Sequence, residues 1–346
     1  MKRPTMQDIA RRAGVTKAAV SFALNGRPGV SEPTRRRILA IADELGWQPS
    51  SAARALSDGR SGSFGLVIDR PARTLGLEPF FMQLISGIQA ELARDTTPLL
   101  LAMAEDQAAE IALYRGWWAR RLVDGVFVVD LQVTDARVPV LEDLGMPAVV
   151  LGAPLGTGSL PAVWSDDAAA VATVVRHLAG LGHRRIARVA GPGHLRHTAI
   201  RTTAFERITG GLGIDGRTLE ADYSGERGAA ATVELLSAEP AARPTAILYD
   251  NDVMALSGLT AARGLGLAVP ADLSLVAWED SALCELVAPS LTALHRDICG
   301  YGAQAARRLR EAAGGAAVPD VEDPPSSLTL RGSTGPAPDA GGRAFR

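Results

Sequence analysis

Between residues 64 and 277, short apolar runs alternate with helical stretches, which restricts the chain to few folds. Apolar runs of this length are typical of parallel strands buried on both faces. The pattern restarts after about Val163, so we predict an α/β fold with two similar lobes built on parallel sheets. The predicted strands are 64–68, 99–102, 125–129, 185–190, 246–249 and 273–277, and the helices are 80–94, 107–120, 167–181, 198–212 and 252–264.

The first 49 residues have a different pattern, that of short amphipathic helices. Apolar residues recur at helical spacing in three segments, at about 6–13, 17–25 and 32–45. Each segment begins after a residue that favours the N-cap position, and the first and third end at glycine. We predict an all-α headpiece over 1–49; its caps and stops are Thr5, Gly14, Thr16, Ser31 and Gly46.

Composition sets the remaining boundaries. Residues 50–63 combine a helix-compatible stretch with a Gly/Ser-containing linker, so we predict a hinge and linker there. The core then spans 64–332. Residues 333–346 are rich in Gly, Pro and Ala without an apolar period, and we predict a disordered tail.

Charge is distributed unevenly along the chain. Residues 1–60 hold 11 Lys/Arg and 5 Asp/Glu, a net charge of +6, whereas the whole chain carries −2 and the remainder therefore −8. A basic head on an acidic body predicts a polyanionic partner for the head. No apolar run approaches the roughly 20 residues of a membrane span, and Asp8, Arg11 and Arg12 interrupt any signal peptide. We expect a soluble, cytoplasmic protein with no membrane partner.

The sequence favours no enzyme class. Gly191-Pro192-Gly193 follows a predicted strand but matches neither the dinucleotide-binding nor the P-loop glycine pattern. No Ser/His/Asp arrangement stands out, and Cys284 and Cys299 lack metal-ligand spacing, so we expect them in or near the core. We predict no catalytic residue, no cofactor and no metal.

The headpiece carries a long run of recognisable sequence. Residues 5–25 read TMQDIARRAGVTKAAVSFALN, and Val30-Ser31, Thr34-Arg35 and the segment 44–50 follow at fixed spacings. Two helices joined at Gly14 form a helix-turn-helix, whose second helix lies in the DNA major groove. The run closely resembles the headpiece of the lactose-repressor (LacI/GalR) family. The resemblance implies a transcriptional regulator, of which we expect a repressor, that binds a double-stranded, palindromic operator.

The resemblance also implies roles for individual headpiece residues. Positions 17, 18 and 22 read bases: Lys17 can donate to guanine, Ala18 suits a thymine methyl, and Phe22 reads only shape or an apolar edge. The alternative for Phe22 is an extra core aromatic. For the charged run 35–37 we favour a solvated helix face over phosphate contact. The other DNA-binding positions are Thr5, Thr16, Ser21, Asn25, Ser31 and Thr34, the last four near phosphates.

Residues 50–57 resemble the family's hinge helix, which becomes ordered only on specific DNA. In that interpretation Ala53 and Leu56 contact DNA, and Leu56 from each subunit inserts into the central base step of the minor groove. The alternative is a plain flexible linker.

The resemblance extends over almost the whole core. It implies the two-lobed periplasmic-binding-protein-like fold, with three crossings between lobes and a ligand cleft at the strand ends. Lobe one is then about 64–162 plus 294–325, and lobe two about 164–293. The matching phrases are Val163-Trp164-Ser165-Asp166-Asp167, His177-Leu178, 182–187, Asn251-Asp252 with Met254-Ala255, 269–274, 289–292 and 328–333.

By this resemblance, Arg201, Asn251 and Glu279 hold a small polar effector, and Phe80 or Phe81 lines the other lobe. Such a set suits sugar hydroxyls and the apolar face of a sugar. We expect a sugar that releases DNA; the alternatives are a nucleobase or nucleoside, or a solute-binding protein without DNA function, against which the basic head argues. His197 and Trp278 are further candidates, although a structural histidine and a core tryptophan are the favoured interpretations. We place His183 in a surface loop.

We also predict a homodimer. One short recognition helix makes too few base contacts for specific binding, and a two-fold repeat doubles them. No heptad-rich helix follows Arg331 to join dimers into tetramers.

Overall fold

The computed structural model describes residues 4–47, 60–70, 76, 78–239 and 241–338. The chain divides into two compact units, Met1–Ser61 and Gly62–Arg346, which we describe in turn.

Three helices form the headpiece: α1 (Met6–Ala13), α2 (Lys17–Leu24) and α3 (Glu32–Glu44). Thr5 and Asp8 form a reciprocal capping box on α1, and Gly14 ends this helix in the left-handed conformation at φ 65°. The Thr16 hydroxyl accepts from the amide of Ala19 and caps α2. The predicted headpiece helices are thus confirmed. Their shared core is Ile9, Ala10, Ala13, Val20, Ala23, Ile38 and Ala42.

Lobe one is a six-stranded parallel sheet in the order β11-β5-β4-β3-β1-β2. Apart from edge strands β2 and β11, its strands are largely buried, as expected for a sheet with helices on its faces. The elements are β1 (Phe64–Asp69), α4 (Pro79–Leu92), β2 (Leu99–Ala104), α5 (Gln107–Ala119), β3 (Val126–Val128), α6 (Arg137–Leu144), β4 (Ala148–Leu151), β5 (Ala162–Trp164), α12 (Ile298–Ala313) and β11 (Val321–Glu322).

Lobe two repeats the design with the sheet order β12-β10-β9-β8-β6-β7, in which only β12 runs antiparallel. The α/β class and the parallel sheets are therefore confirmed. The elements are α7 (Asp167–Gly180), β6 (Arg185–Ala190), α8 (Arg196–Gly211), β7 (Asp215–Glu220), α9 (Gly225–Leu236), β8 (Ala246–Tyr249), α10 (Asp252–Gly264), β9 (Ser274–Ala277), α11 (Ala282–Glu285), β10 (Thr292–His295) and β12 (Ser327–Thr329).

The chain crosses between the lobes near residues 165, 296 and 324. The sequence places the second crossing before residue 294, whereas β10 continues the lobe-two sheet to His295, so this crossing falls at Arg296. Beyond it, α12 returns to lobe one and packs against α4. Contact between these helices is so close that a Cβ added to Gly87 would lie 2.0 Å from the carbonyl oxygen of Cys299.

Residues 333–338 correct the prediction of a tail that is disordered from 333 onward. The Ser333 hydroxyl donates to the carbonyl of Leu275 and accepts from the amide of Thr292, and the Ala337 amide donates to the carbonyl of Leu181. Backbone and hydroxyl hydrogen bonds hold this segment in place. Because apolar packing does not hold it, the search for an apolar period could not detect its order. Residues 339–346 lie outside the described residues.

His183 also differs from expectation. Its side chain is fully buried rather than in a surface loop, with ring nitrogens 2.8 Å from the Thr245 hydroxyl and 3.1 Å from the Ser274 hydroxyl. The carbonyl of Gly335 lies 3.1 Å from the same nitrogen that contacts Ser274. His183 therefore ties the C-terminal segment to lobe two. Among the described residues, no helix has the length and apolar character needed to span a bilayer.

We predict that truncation after Gly332 destabilises lobe two by about 4 kcal/mol, because it removes several buried hydrogen bonds worth about 1 kcal/mol each. Truncation after Pro338 keeps all of these bonds and is the matched control. Urea unfolding followed by circular dichroism measures both. Equal unfolding midpoints for the two truncations would contradict the assignment of 333–338 to the lobe-two core.

Candidate functional site

The outer face of the helix-turn-helix presents the side chains predicted to read DNA. Lys17, Ala18 and Phe22 are exposed on α2, on the side opposite the buried Val20 and Ala23. Thr5, Thr16, Asn25 and Ser31 are also exposed, while Ser21 and Thr34 are partly so. All nine predicted DNA-binding positions that the structure describes are thus at least partly exposed on the headpiece.

Neighbouring polar side chains on this face hold one another. The Asn25 amide donates to the Ser21 hydroxyl at 3.4 Å, and the Ser31 and Thr34 hydroxyls lie 2.9 Å apart. Ser31 occupies the N-cap of α3 without a side-chain capping bond, because its hydroxyl faces Thr34 instead. These side chains are therefore held in place by contacts within the headpiece.

Phe22 and the charged run 35–37 had two interpretations each. The Phe22 ring is 39% exposed and lies over Gly29, so it is a surface aromatic and not a core residue. Arg35 folds back to donate to the carbonyl of Arg27 at 2.7 Å, whereas Arg36 and Arg37 are exposed. The predicted hinge residues Ala53 and Leu56 lie outside the described residues.

A cleft between the two lobes encloses about 820 Å³, including its open mouth. Its walls come from residues at the carboxyl ends of strands in both sheets, where parallel α/β folds bind ligands. Six of the seven predicted effector residues line it: Phe80, Phe81, His197, Arg201, Asn251 and Glu279.

A buried ion pair forms the floor of the lobe-two wall. Arg188, fully buried on β6, donates to Asp250 at the end of β8, with Nε to Oδ1 at 2.8 Å, and also to the Thr202 hydroxyl on α8. Asp250 in turn accepts from the amide of Gly191 at 3.1 Å. This network fixes the turn after β6 and the helix that follows it.

Arg201 reaches the cleft from α8. Its guanidinium stacks over the Trp278 ring at 3.9 Å and pairs with Asp167 at 3.3 Å. Its buried Nε has no hydrogen-bond partner among the described residues, so it is a donor that a ligand can satisfy. Trp278 does not line the cleft; it is 5% exposed and supports Arg201 from behind.

Glu279 supplies the complementary acceptor. Within the described chain, no hydrogen bond to its carboxylate is present. Burial raises the pKa of Glu279 to about 7, although the nearby Arg296 and Arg201 lower it. A buried carboxylate without hydrogen bonds is stabilised when hydroxyl groups of a ligand donate hydrogen bonds to it.

Lobe one contributes a charged wall of its own. Arg70, directly after β1, pairs with Asp130 at 2.9 Å and stacks on the lobe-two Tyr223 ring at 4.6 Å. Glu78 accepts from the Asn251 amide at 3.2 Å across the cleft, and burial raises the pKa of Glu78 to about 7. Two contacts therefore connect the lobes through the cleft.

Asn251 and His197 are already engaged. The Asn251 oxygen caps α10 through the amide of Met254, and its nitrogen also donates to the carbonyl of Tyr223. His197 shares a hydrogen bond of 2.7 Å with the Tyr223 hydroxyl, and burial beside cationic groups lowers its pKa well below the usual value, so the ring is neutral. Both side chains hold the wall in place.

Sequence reasoning missed several lining residues. These are Arg70, Glu78, Asp130, Asp167, Tyr223 and Arg296. Five of them lie within three residues of a strand's carboxyl end, but only β1 and β3, which precede Arg70 and Asp130, were among the predicted strands. Glu78 lies in a longer connection, for which the pattern gives no signal.

We predict that the substitution Glu279→Gln stabilises the protein more at pH 8 than at pH 5. The folded protein keeps a proton on Glu279 up to about pH 7, whereas an unfolded glutamate loses it near 4.5, so wild-type stability falls as pH rises between these values. Glutamine removes this loss. The free energy of unfolding of the variant minus wild type should increase by on the order of 2 kcal/mol from pH 5 to pH 8.

Denaturant unfolding at both pH values measures this difference, with the exposed Glu239→Gln as control. A difference that is the same at pH 5 and pH 8 would show that Glu279 is not buried in the wall as described.

Family models match both units of the chain. The model described as bacterial regulatory proteins, lacI family, matches residues 5–50, and the periplasmic binding protein-like domain matches residues 175–334.

Full-length relatives are regulators. The chain is 33% identical to the HTH-type transcriptional regulator MalR from Streptomyces coelicolor over 351 residues, 98% of each chain. It is 30% identical to CelR from Thermobifida fusca, covering 89% of this chain and 91% of CelR. The HTH-type transcriptional repressor PurR from Erwinia tasmaniensis is 28% identical over 84% of this chain and 85% of PurR.

Two solved structures of regulators have a fold similar to that of this chain. The lac repressor dimer bound to operator and the anti-inducer ONPF is 26% identical, with a TM-score of 0.84 over 96% of this chain and all of that one. A CelR–cellobiose complex is 28% identical, with a TM-score of 0.73 over 96% of this chain and all of that one. With a helix-turn-helix unit, a two-lobed α/β unit and relatives of this kind along its length, the chain belongs to the LacI family of DNA-binding transcriptional regulators, which is not a family of enzymes.

Proposed function

We propose that this regulator binds a palindromic operator as a homodimer, and that a sugar in the cleft releases it from DNA. The observation that supports a sugar ligand is the Arg201 Nε, a buried donor without a hydrogen-bond partner among the described residues, together with the Glu279 carboxylate, to which no described residue donates a hydrogen bond. One donates and the other accepts, which is what adjacent sugar hydroxyls require.

The aromatic rings favour a sugar over a nucleobase. A base needs an open ring face for stacking, but guanidinium groups already cover Tyr223, Trp278 and Tyr301, the last by Arg296 at 4.6 Å. Phe80 is partly exposed and meets Phe81 edge to face at 5.3 Å, leaving a small apolar surface. That surface suits the C–H face of a sugar. The cellobiose complex of CelR supports the same ligand class.

Charge in the cleft argues against an anionic ligand. Six carboxyl groups line it, against three guanidinium groups, the buried Arg188 that pairs with Asp250, and a neutral His197; burial raises the pKa of two of these carboxyls, Glu78 and Glu279, to about 7. A phosphorylated sugar or nucleotide would therefore meet no excess of positive charge in this lining. The carboxylates are Glu78, Asp130, Asp167, Asp250, Asp252 and Glu279, and the guanidinium groups are Arg70, Arg201 and Arg296.

Exposed apolar side chains support dimer formation. Strand β2 is an edge strand of the lobe-one sheet, and Leu101 and Met103 on it are 43% and 47% exposed. In lobe two, Leu286 is 80% exposed. Large exposed apolar groups in a folded core favour burial against a partner. The operator-bound lac repressor is itself a dimer.

The decisive experiment has two parts. Thermal-shift screening with maltose, cellobiose, glucose, glucose 6-phosphate, adenosine and hypoxanthine identifies the ligand class. A ligand at 100 times its Kd adds roughly 2.7 kcal/mol to native stability. We expect a neutral sugar to stabilise the wild-type protein but not the Arg201→Ala variant. The control is Arg207→Ala, which changes an exposed residue of the same helix α8, and we expect the sugar to stabilise it. Stabilisation by hypoxanthine or adenosine alone would replace the sugar proposal.

The second part selects palindromic duplexes from a random pool and measures affinity by fluorescence anisotropy. We expect two chains per duplex, and affinity that falls when the stabilising sugar is added. Lys17→Ala should weaken binding by 1–3 kcal/mol, as loss of a base contact does. Equal affinity for selected and random duplexes, or tighter binding with the sugar, would contradict the proposal.

A further inference from the structure

A second connection between the lobes lies outside the residues predicted to hold the ligand. Residues 131–133 follow β3 in lobe one, and residues 194–196 follow β6 in lobe two. Gln132 and Leu195 pair as an isolated antiparallel β-bridge. The Val133 amide donates to the carbonyl of His194 at 2.9 Å, and the Arg196 amide donates to the carbonyl of Leu131 at 2.7 Å.

The side chain of Arg196 reinforces this bridge. Its guanidinium donates to the carbonyl of Val133 and, at 3.3 Å, to that of Gln132. It also lies against Gly156 in the loop between β4 and β5, where an added Cβ would meet its Nη2 at 2.5 Å. One lobe-two side chain thus grips two separate loops of lobe one.

The lobe-one side of the bridge is rigid. Asp135 accepts from the amide of Gln132 at 2.8 Å and pairs with Arg137, which is 3% exposed. Arg137 also pairs with the buried Glu110 at 2.9 Å and donates to the carbonyls of Val129 and Asp130. A loop held at this many points moves as part of its lobe.

The bridge lies away from the crossings. Those crossings join β5 and β11 of lobe one to α7, β10 and β12 of lobe two, at one side of each sheet. Strands β3 and β6, which precede the bridge, lie two and three positions further along their sheets. A contact far from a hinge resists opening most effectively, because a given rotation about the hinge separates its atoms by a larger distance.

We propose that residues 131–133 and 194–196 form an interlobe latch, and that Arg196 is a positioning residue that holds the cleft closed. Arg196 begins α8, and His197 and Arg201 follow on the same helix. The latch therefore sets both the access of a ligand and the placement of α8 against lobe one. The latch itself does not depend on the proposed function; only its effect on ligand entry rests on that proposal.

Hydrogen exchange in the full chain, without ligand or DNA, tests the role of Arg196. The Val133 amide is protected by a carbonyl of the other lobe, so its exchange reports opening. We expect Arg196→Ala to speed exchange at residues 129–136 by about tenfold, as loss of two hydrogen bonds implies, and to leave β6 and β8 unchanged. Arg207→Ala, on the exposed side of the same helix, should change neither region. Unchanged exchange at 129–136 in Arg196→Ala would overturn the proposal.

Cross-linking tests the bridge itself. Each of its two hydrogen bonds joins residues on either side of the pair, so Gln132 and Leu195 form a non-hydrogen-bonded pair, with Cα atoms about 4.5 Å apart. That separation suits a disulfide. We expect Gln132→Cys with Leu195→Cys, in a Cys299→Ser background, to cross-link with oxidised glutathione at least tenfold faster than Gln132→Cys with Arg207→Cys.

Position 207 lies about 16 Å further along the helix, which makes the second pair a matched control. Equal rates for the two pairs would overturn the latch. Leu195 is buried, and if its substitution prevents folding, the exchange measurement decides. Neither measurement uses a sugar or an operator, so failure of the latch and failure of the proposed function are distinguishable.

Discussion

The buried pair of Arg188 and Asp250 determines the geometry of the lobe-two wall. It joins two neighbouring strands, the turn after β6 and helix α8 in one network from which water is excluded. Removing one partner of such a pair leaves a buried charge and costs about 3–5 kcal/mol. Arg201 and Asn251 take their positions from the elements this network joins. The cleft therefore depends on an ion pair whose arginine lies outside its lining.

Around this floor the cleft balances opposing charges. Guanidinium groups stack on aromatic rings and pair with carboxylates, so most of the wall is satisfied without a ligand. Arg201 Nε, Arg70 Nε and Glu78 Oε2 are among the buried atoms without a hydrogen bond within the described residues, and such groups define what a ligand must offer. Contacts through the cleft and the latch at its side also hold the lobes together. Ligand binding then acts on two bodies whose relative position is already restrained.

The sequence predicted the local structure well, because its signals are local. Capping residues such as Thr5 and Thr16, stop glycines and apolar periods located the predicted helices and strands to within about two residues, whereas elements such as α6, α9 and α12 were not predicted. The partners of buried polar groups depend on the folded chain, so the interlobe contacts of Arg70 and Glu78 were not foreseen. His183 and residues 333–338 were misjudged for the same reason: hydrogen bonds, not apolar packing, hold them. Conversely, Arg201 and Glu279, which line the cleft, were selected only through resemblance to a family.

The proposed function requires that ligand binding in the cleft and operator binding by the headpiece are thermodynamically coupled. Coupling between two binding equilibria is reciprocal, so an operator must change sugar affinity by the same factor by which the sugar changes operator affinity. Calorimetric titration of the stabilising sugar into free and operator-saturated protein measures this factor directly. We predict weaker sugar binding on the operator complex, by the factor found for operator release. Identical sugar affinity in the two states would contradict the account.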